Sequence, residues 1–513
     1  MLAARLLCCA LVCVLLPFSG YCEQEKLTVM VYDRGNMPAS YGSCTNNEWT
    51  AYLQQQALTT LGLEVTYVGL DRGSDLSQLS MLLATEHAPD IMFTYDYALW
   101  HRLCESGQLA DVSSELAQYG PNILANQASV LPYGQFQGKQ YGICNQRASI
   151  EVTSGFIRKD WLDQLGISLT QSPAGYYTAT AEELFHILCR FRDSGLCGSP
   201  GAAPYMIYGT TYWPILLILE AFYVQDQITQ EDLFALPYFM FDGAKEGYRF
   251  LNRLYNEGLV NQNFAFIGDN DKSSYIDAIV NEQIGFWIND SWFGFGEDET
   301  IISLYERNPE AEVVALDILN AAGNSSYKYA YSDYGMILFV PEKSTHKAAA
   351  IKYLNLLSDP GIDFTLRYGF EGEHYRMENG LPVAIDEAYN ARTRISVKDL
   401  ALMYNGCPYL NKGIDGILNL QMLPERLRDL RRQSSAVGTS NTFQIPTIPA
   451  YTLTNSSITQ RLEQLERNLR VQCIMCAPEN FDAVWDTCLE AYLQQGGQAQ
   501  IDSKRSLYRE NMP

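Results

Sequence analysis

Four short clusters in the sequence combine aromatic rings with planar polar groups: Tyr32/Asp33/Arg34, Tyr95/Asp96, Trp287/Asn289/Asp290/Trp292 and Tyr331/Asp333/Tyr334. Such a mixture suits a carbohydrate. Sugar rings have apolar faces that stack on aromatic side chains, and hydroxyls that need flat polar partners. Aromatic residues make up 12% of the chain, with 34 tyrosines. A single aromatic is more often ordinary core, so the argument rests on all four clusters falling beside predicted strand ends.

Motifs for covalent chemistry are weaker. Gly134-Gln-Phe-Gln-Gly138-Lys139 resembles a phosphate loop but is one residue short, and Gln140 stands where Ser or Thr is needed. Ser344-Thr-His-Lys347 fits S-x-x-K, yet it stands at a predicted helix start, where a capping serine is expected. H-E-x-x-H and G-x-S-x-G do not occur. Carboxylates abound, but nothing singles out a glycosidase pair. Cys473-Ile-Met-Cys476 has redox or half-zinc spacing. A structural zinc wants four Cys/His ligands, and Cys488 is the one obvious sequence neighbour. With five histidines in the chain, small buried hydrophobes are the better reading of these cysteines, and no metal or cofactor is expected. Nine cysteines follow Cys22, an odd number that forbids complete internal pairing.

These residues need a scaffold. The strand pattern Lys26–Asp33 is followed by a helix from about Asn47 to Thr60, a strand Leu63–Val68, a helix near Leu76–Thr85 and a short strand at Ala88–Phe93. This β-α-β-α-β order predicts a parallel sheet covered on both faces, with ligands beyond the carboxyl ends of its strands. Further on, Ser149–Ile157, Gln283–Ile288, Glu312–Leu316 and Tyr334–Val340 read as strands. Arg158–Gly166, Thr180 onward and Lys245–Glu257 read as helices, the second with a capping box. Ser344 or Thr345 is expected to cap a helix that Asp359-Pro-Gly stops. The uncharged stretch between Arg432 and Arg461 reads as an irregular connection, before a helix carrying Ile458, Leu462, Leu465 and Leu469.

At 513 residues the chain is too long for one compact core, which makes two domains the natural reading. The net charge of −23 argues against nucleic acid and anionic membrane faces, and suits a neutral or cationic ligand. Arg5, the apolar run Leu6–Phe18 and the small residues after it describe a secretory signal over residues 1–22. The run is shorter than the ~20 residues that span a bilayer. Cys22 is a candidate for lipidation, although Tyr21 precedes it where a small residue is usual. Cleavage after Cys22 without lipid is the competing reading.

Six segments carry a family resemblance: Thr28-Val-Met-Val-Tyr-Asp-Arg-Gly35, Ala88-Pro-Asp-Ile91, Arg158-Lys-Asp-Trp-Leu162, Phe250-Leu-Asn-Arg-Leu-Tyr-Asn-Glu-Gly258, Ala350-Ile-Lys-Tyr-Leu-Asn355 and Gly369-Phe-Glu-Gly-Glu-His-Tyr375. In this order and spacing, from about Leu27 to the end, the chain resembles the large extracellular solute-binding proteins of oligosaccharide ABC importers, a lipoprotein group of Firmicutes. Cys144, where proline is common, and the Cys473/Cys476 pair depart from that pattern. The resemblance implies an α/β, two-lobed type 2 periplasmic-binding-protein fold with a hinge and an interlobe cleft. It also implies no enzymatic activity, a membrane permease as partner, and a place outside the cytoplasmic membrane. The expected division is lobe one over 27–148 with 313–343 and lobe two over 149–312 with 344–513, with crossings near Arg147 and near Val313. Tyr95, Trp213, Trp287, Trp292 and Tyr331 are then expected to stack on the ligand, and Arg34, Asp96, Asn289 and Glu371 to hold its hydroxyls. A peptide ligand in the same fold, an exported polysaccharide-degrading enzyme and a ligand sensor remain alternatives.

Overall fold

A computed structural model of the chain describes residues 24–511, apart from 36, 38, 73–74, 86, 148–149, 269–272, 296–299, 387–389, 391–396, 406–419, 421–422 and 449–455. The first strand, Glu25–Asp33, pairs in parallel with Leu63–Asp71, and Val29 bridges Ile91 in parallel on its other side. Met92–Thr94 continues from that bridge and pairs antiparallel with Tyr334–Phe339. Ile143–Arg147 lies on the far side of Tyr334–Phe339, followed by Tyr404–Asn405 at the edge. The helix Glu48–Leu61 between the first two strands is specified at both ends. The Asn47 side chain accepts from the Trp49 and Thr50 amides, and Gly62 closes the helix in a left-handed conformation at φ 72°.

A second sheet runs Phe286–Asp290, Thr153–Arg158, Val313–Leu319, Tyr177–Thr180 and Thr170–Gln171. Its core is separate from the first. Leu27, Trp49, Phe93, Ile143, Leu338, Ile351 and Leu402 belong to one apolar cluster. Leu188, Leu217, Tyr248, Leu316, Leu469 and Trp485 belong to another. The chain thus forms two lobes.

The expected division needs correcting in its discontinuous parts. Val313–Leu319 pairs with Thr153–Arg158 on one edge and Tyr177–Thr180 on the other, so it stands inside lobe two. Buried residues of 349–366 and 397–403 pack into lobe one. Periodicity reveals an apolar strand or helix but not the partner that will cover it. The crossing expected near Val313 falls instead at Tyr331–Asp333, beside the crossing at Arg147. The two connections run side by side: the Arg147 amide donates to the Asp333 carbonyl at 2.7 Å, and the Tyr331 amide to the Ile150 carbonyl at 2.9 Å. From Leu423 to Val437 the chain packs in lobe two again.

Three local readings also change. Asp359-Pro-Gly ends one helix, Lys347–Leu357, and also begins the next, Pro360–Tyr368, because the Asp359 carboxylate accepts from the Gly361 and Ile362 amides. Neither Ser344 nor Thr345 is the residue at the helix start; His346 occupies that position without a side-chain cap. The irregular connection expected from Arg432 begins later, because the helix Glu425–Thr439 continues past it; residues 440–448 are irregular apart from the short strand Thr442–Phe443.

Polar groups buried between segments distant in sequence knit each lobe. Asp90 accepts from the Thr28 amide and hydroxyl, each at 2.8 Å, and from the Ser344 hydroxyl at 2.7 Å. Burial works to raise its pKa, but these bonds, with that of His346, outweigh it and hold the carboxyl below its usual range. In lobe two, Lys328 and Asp317 are fully buried and paired at 3.0 Å, and the Lys328 ammonium also reaches the Ser440 hydroxyl and carbonyl at the end of Glu425–Thr439. Gly438 on that helix lies so close to the sheet that a Cβ there would stand 2.7 Å from the Glu151 Cβ.

Glu220, on the helix Leu216–Phe222, has no exposed surface. It accepts from the Tyr329 amide at 2.8 Å and the Thr153 hydroxyl at 3.0 Å. Burial, its largest influence, still raises its pKa from 4.5 to about 7. Between these two values the native protein keeps a proton that the unfolded chain has lost, so this group makes stability fall as pH rises through that window. The full effect is on the order of 3 kcal/mol. Urea unfolding of Glu220→Gln is expected to show a flatter pH profile from about pH 5 to about pH 7 than the parent; parallel profiles would remove Glu220 as the cause.

Candidate functional site

The carboxyl ends of lobe one's parallel strands gather four side chains. Tyr32 and Arg34 close the first strand, Arg72 follows the second and Tyr95 the third. Tyr32 and Tyr95 stack with centroids 6.4 Å apart at 14°. The Arg72 guanidinium lies 4.8 Å from the Tyr32 centroid and 5.5 Å from that of Tyr95. Arg34 is fixed by a bidentate pair with Asp399, at 2.7 and 2.8 Å. Tyr95 keeps 37% of its surface open, yet desolvation is the main cause raising its phenol pKa. A ring both accessible and crowded lies in a concavity.

The two connections supply the floor. Arg147, the last residue of its strand, lies flat over Tyr331 at 4.0 Å. Burial is the main cause that raises the Tyr331 phenol, and the charges of Asp290, Arg147, Tyr329 and Tyr95 also act on it. Charged or polar groups from both lobes therefore lie near enough to act on this ring. Beside it, Tyr133 and Tyr334 pack at 4.4 Å, and the Tyr97 hydroxyl donates to the Tyr133 carbonyl at 2.7 Å.

Lobe two presents Asp290 and Trp292 just beyond the strand Phe286–Asp290. Arg431 covers one face of the Trp292 ring at 3.7 Å and is itself held by Glu151 at 2.6 Å, both charges being buried. Asp290 accepts from the Trp292 amide at 2.8 Å, which fixes the turn.

Of the expected site residues, the structure brings Arg34, Tyr95 and Tyr331 into this neighbourhood, and places Trp292 at lobe two's edge of it. Asp96 lies next to Tyr95 but caps the helix Tyr97–Glu105 through the Leu99 amide at 2.8 Å. Trp213 is half-buried in the segment before Leu216–Phe222. Glu371 is exposed on a turn bridged to Tyr375. No contact among the described residues ties Trp213 or Glu371 to the tyrosine–arginine group. Trp287 and Asn289 are corrections. Trp287 has no exposed surface and packs against Phe156 at 5.8 Å, while Asn289 is 2% exposed, so neither offers a face to a ligand. Arg72, Arg147, Asp399 and Arg431 were not anticipated, although Arg72 and Arg147 obey the strand-end rule that located Tyr95.

Other chemistry finds less support. Ser344, His346 and Asp90 meet, but the serine hydroxyl donates to Asp90 and the His346 ring also contacts Asp90, at 3.1 Å. The histidine is not placed to take the serine proton, as a nucleophilic triad requires. Cys473 is buried and Cys488 faces it from the helix Phe481–Tyr492; a hydrogen bond from Cys473 lowers the Cys488 thiol to about 7. No group of three or more His, Cys, Asp or Glu residues arranged to hold a metal occurs among the described residues. Nor, among them, is any helix long and apolar enough to cross a membrane. Cys22 lies outside the described residues.

No protein-family model matches the chain. The "Lipoprotein LipO" of Bacillus subtilis is 20% identical over 466 residues, covering 87% of each protein. Among solved structures, alginate-binding protein AlgQ2 superposes with a TM-score of 0.67 at 14% identity, over 95% of this chain and 98% of that one. The Streptococcus pneumoniae ABC-transporter substrate-binding protein FusA, in complex with kestose, also gives 0.67 at 13% identity, over 95% and 99%. These neighbours are binding proteins rather than enzymes. The chain has their fold: α/β, two-lobed and of the periplasmic-binding-protein type.

Proposed function

We propose that the chain is an exported solute-binding protein that captures an oligosaccharide between its lobes and presents it to the permease of an ABC importer. The observation that carries this reading is the convergence at the crossing: Arg147 lies over the Tyr331 ring at 4.0 Å on the two connections, and Tyr95 from lobe one and Asp290 from lobe two both act on the Tyr331 phenol. Rings supply stacking faces and the guanidinium and carboxylate groups supply planar partners for hydroxyls, the combination a sugar needs. The similar proteins named for alginate and kestose binding support the same ligand class.

Each wall belongs to a rigid lobe, and the parallel connections are the place where backbone rotation swings one wall against the other. Ligand touching both walls stabilises the closed form over the open one, and that difference in affinity drives closure. Tyr95, Trp292 and Tyr331, with Trp213 where the ligand extends that far, stack on sugar rings; Arg34, Asp96 and Glu371 take hydroxyls. Trp287 and Asn289 stiffen the wall behind. The leader and Cys22 place the mature protein outside the cytoplasmic membrane, with a lipid on Cys22 as its anchor.

A thermal-shift screen over oligosaccharides checks the reading. Ligand at about 100 times its Kd adds about 2.7 kcal/mol, a visible rise in melting temperature. A rise with peptides alone, or release of cleaved glycan, would reject it. With a binding glycan in hand, Tyr95→Ala and Trp292→Ala are expected to weaken affinity about tenfold or more, measured by calorimetry. Trp287→Ala should instead lower stability by about 3–5 kcal/mol through the cavity it leaves, read by urea unfolding.

A further inference from the structure

The arginines of the cleft are not equally occupied. Arg34 is neutralised by its two bonds to Asp399. Arg431 is neutralised by Glu151. Arg147 differs: it makes no ion pair among the described residues, and its Nε is buried without a hydrogen-bond partner. Asp333, on the neighbouring connection, accepts from the Arg147 backbone amide through its own backbone carbonyl. A buried donor without an acceptor costs about 1–3 kcal/mol. Tyr331 supports the guanidinium, whose carbon lies 4.0 Å from the ring centroid. Arg72 adds a second positive charge across the Tyr95 ring, 5.5 Å from its centroid.

We infer that the oligosaccharide carries a carboxylate, and that Arg147, supported on Tyr331 and assisted by Arg72, receives it at the floor of the cleft. This inference rests on the oligosaccharide-binding reading above and narrows it to acidic sugars. A planar guanidinium offers two parallel N–H donors that match a carboxylate, and a neutral hydroxyl uses only one of them. The position at the crossing gives the contact mechanical weight. Arg147 and Asp333 lie on the two connections whose backbones must turn when the lobes move, so a ligand bound there reports to both.

The test uses the full mature chain, a tetrasaccharide of uronic acids, its carboxyl-reduced neutral counterpart, and a tetrapeptide with a free carboxylate. Calorimetry should show the acidic glycan binding about tenfold or more tighter than the neutral one, with the gap narrowing as salt rises. Arg147→Gln should collapse that ratio toward one. Arg147→Lys, which keeps the charge but loses the fork, should recover part of it. Equal binding of the two glycans by the parent protein would overturn the inference while leaving the oligosaccharide reading intact. So would a loss in Arg147→Gln that is the same for both glycans, because that is what a purely structural stack on Tyr331 produces. Binding of the peptide with no glycan bound would overturn both.

Discussion

A charge buried at a junction between distant segments is costly unless a partner from another segment meets it, and the pairs made in answer to that cost hold the lobes together. Lobe one is assembled from residues before Arg147 and after Asp333; Asp90 meets Thr28 on one side and Ser344 and His346 on the other. Tyr67 and Tyr353 share a buried hydroxyl contact at 2.8 Å across the same divide. Lobe two repeats the device with Lys328 and Asp317 against Ser440, and with Glu151 against Arg431. A buried ion pair adds little net stability over apolar residues of equal volume, but leaving one partner alone is strongly unfavourable. Such pairs therefore penalise wrong assembly more than they reward the right one. In a chain that crosses between lobes repeatedly, this is the property that matters.

Rigid lobes concentrate motion in the connections. The backbone there is not loose: Arg147 to Asp333 and Tyr331 to Ile150 are hydrogen-bonded. Two strands bonded to each other bend as a ribbon more easily than they stretch or separate, which favours a swing of one lobe over sliding. Tyr331 sits on this ribbon and Tyr334 just past it, with Tyr133 packed on Tyr334, so in the proposed reading the surface that meets a ligand adjoins the part that moves. Coupling between binding and closure then needs no longer pathway.

The sequence made some of this plain and hid the rest for definite reasons. Helix starts with side-chain caps were legible: Thr180 and Glu183 bond reciprocally, at 2.7 and 3.2 Å, as their spacing predicts. Tyr95 and Tyr331 were legible as strand-end aromatics. Trp287 and Asn289 misled because their strand is covered on both faces: Phe286, Trp287 and Ile288 all have no exposed surface. In such a strand alternation carries no inside–outside signal, and only residues past its end, here Asp290 and Trp292, reach a cleft. Arg72 follows its strand and Arg147 ends its own, but a lone arginine at a strand end lacks the aromatic neighbours that single out a sugar-binding cluster. The lobe membership of the discontinuous parts was not legible, since Val313–Leu319 and 347–357 reveal their own burial and not their partners.

The same limit applies to charge. A net −23 invites the expectation of a neutral or cationic ligand, but most of that charge is on exposed surface, and at physiological salt its influence fades over about 8 Å. Inside a cleft with low-dielectric walls the local set dominates and its field is focused. At Tyr95 that set is Arg34, Arg72 and Arg147 against Asp399, and Arg34 and Asp399 cancel each other. Arg147 then stands without an ion pair among the described residues. On the acidic-sugar inference, an acidic exterior would also discriminate kinetically: it disfavours adhesion to polyanions too large to enter, while a short anionic solute that reaches Arg147 meets the opposite sign.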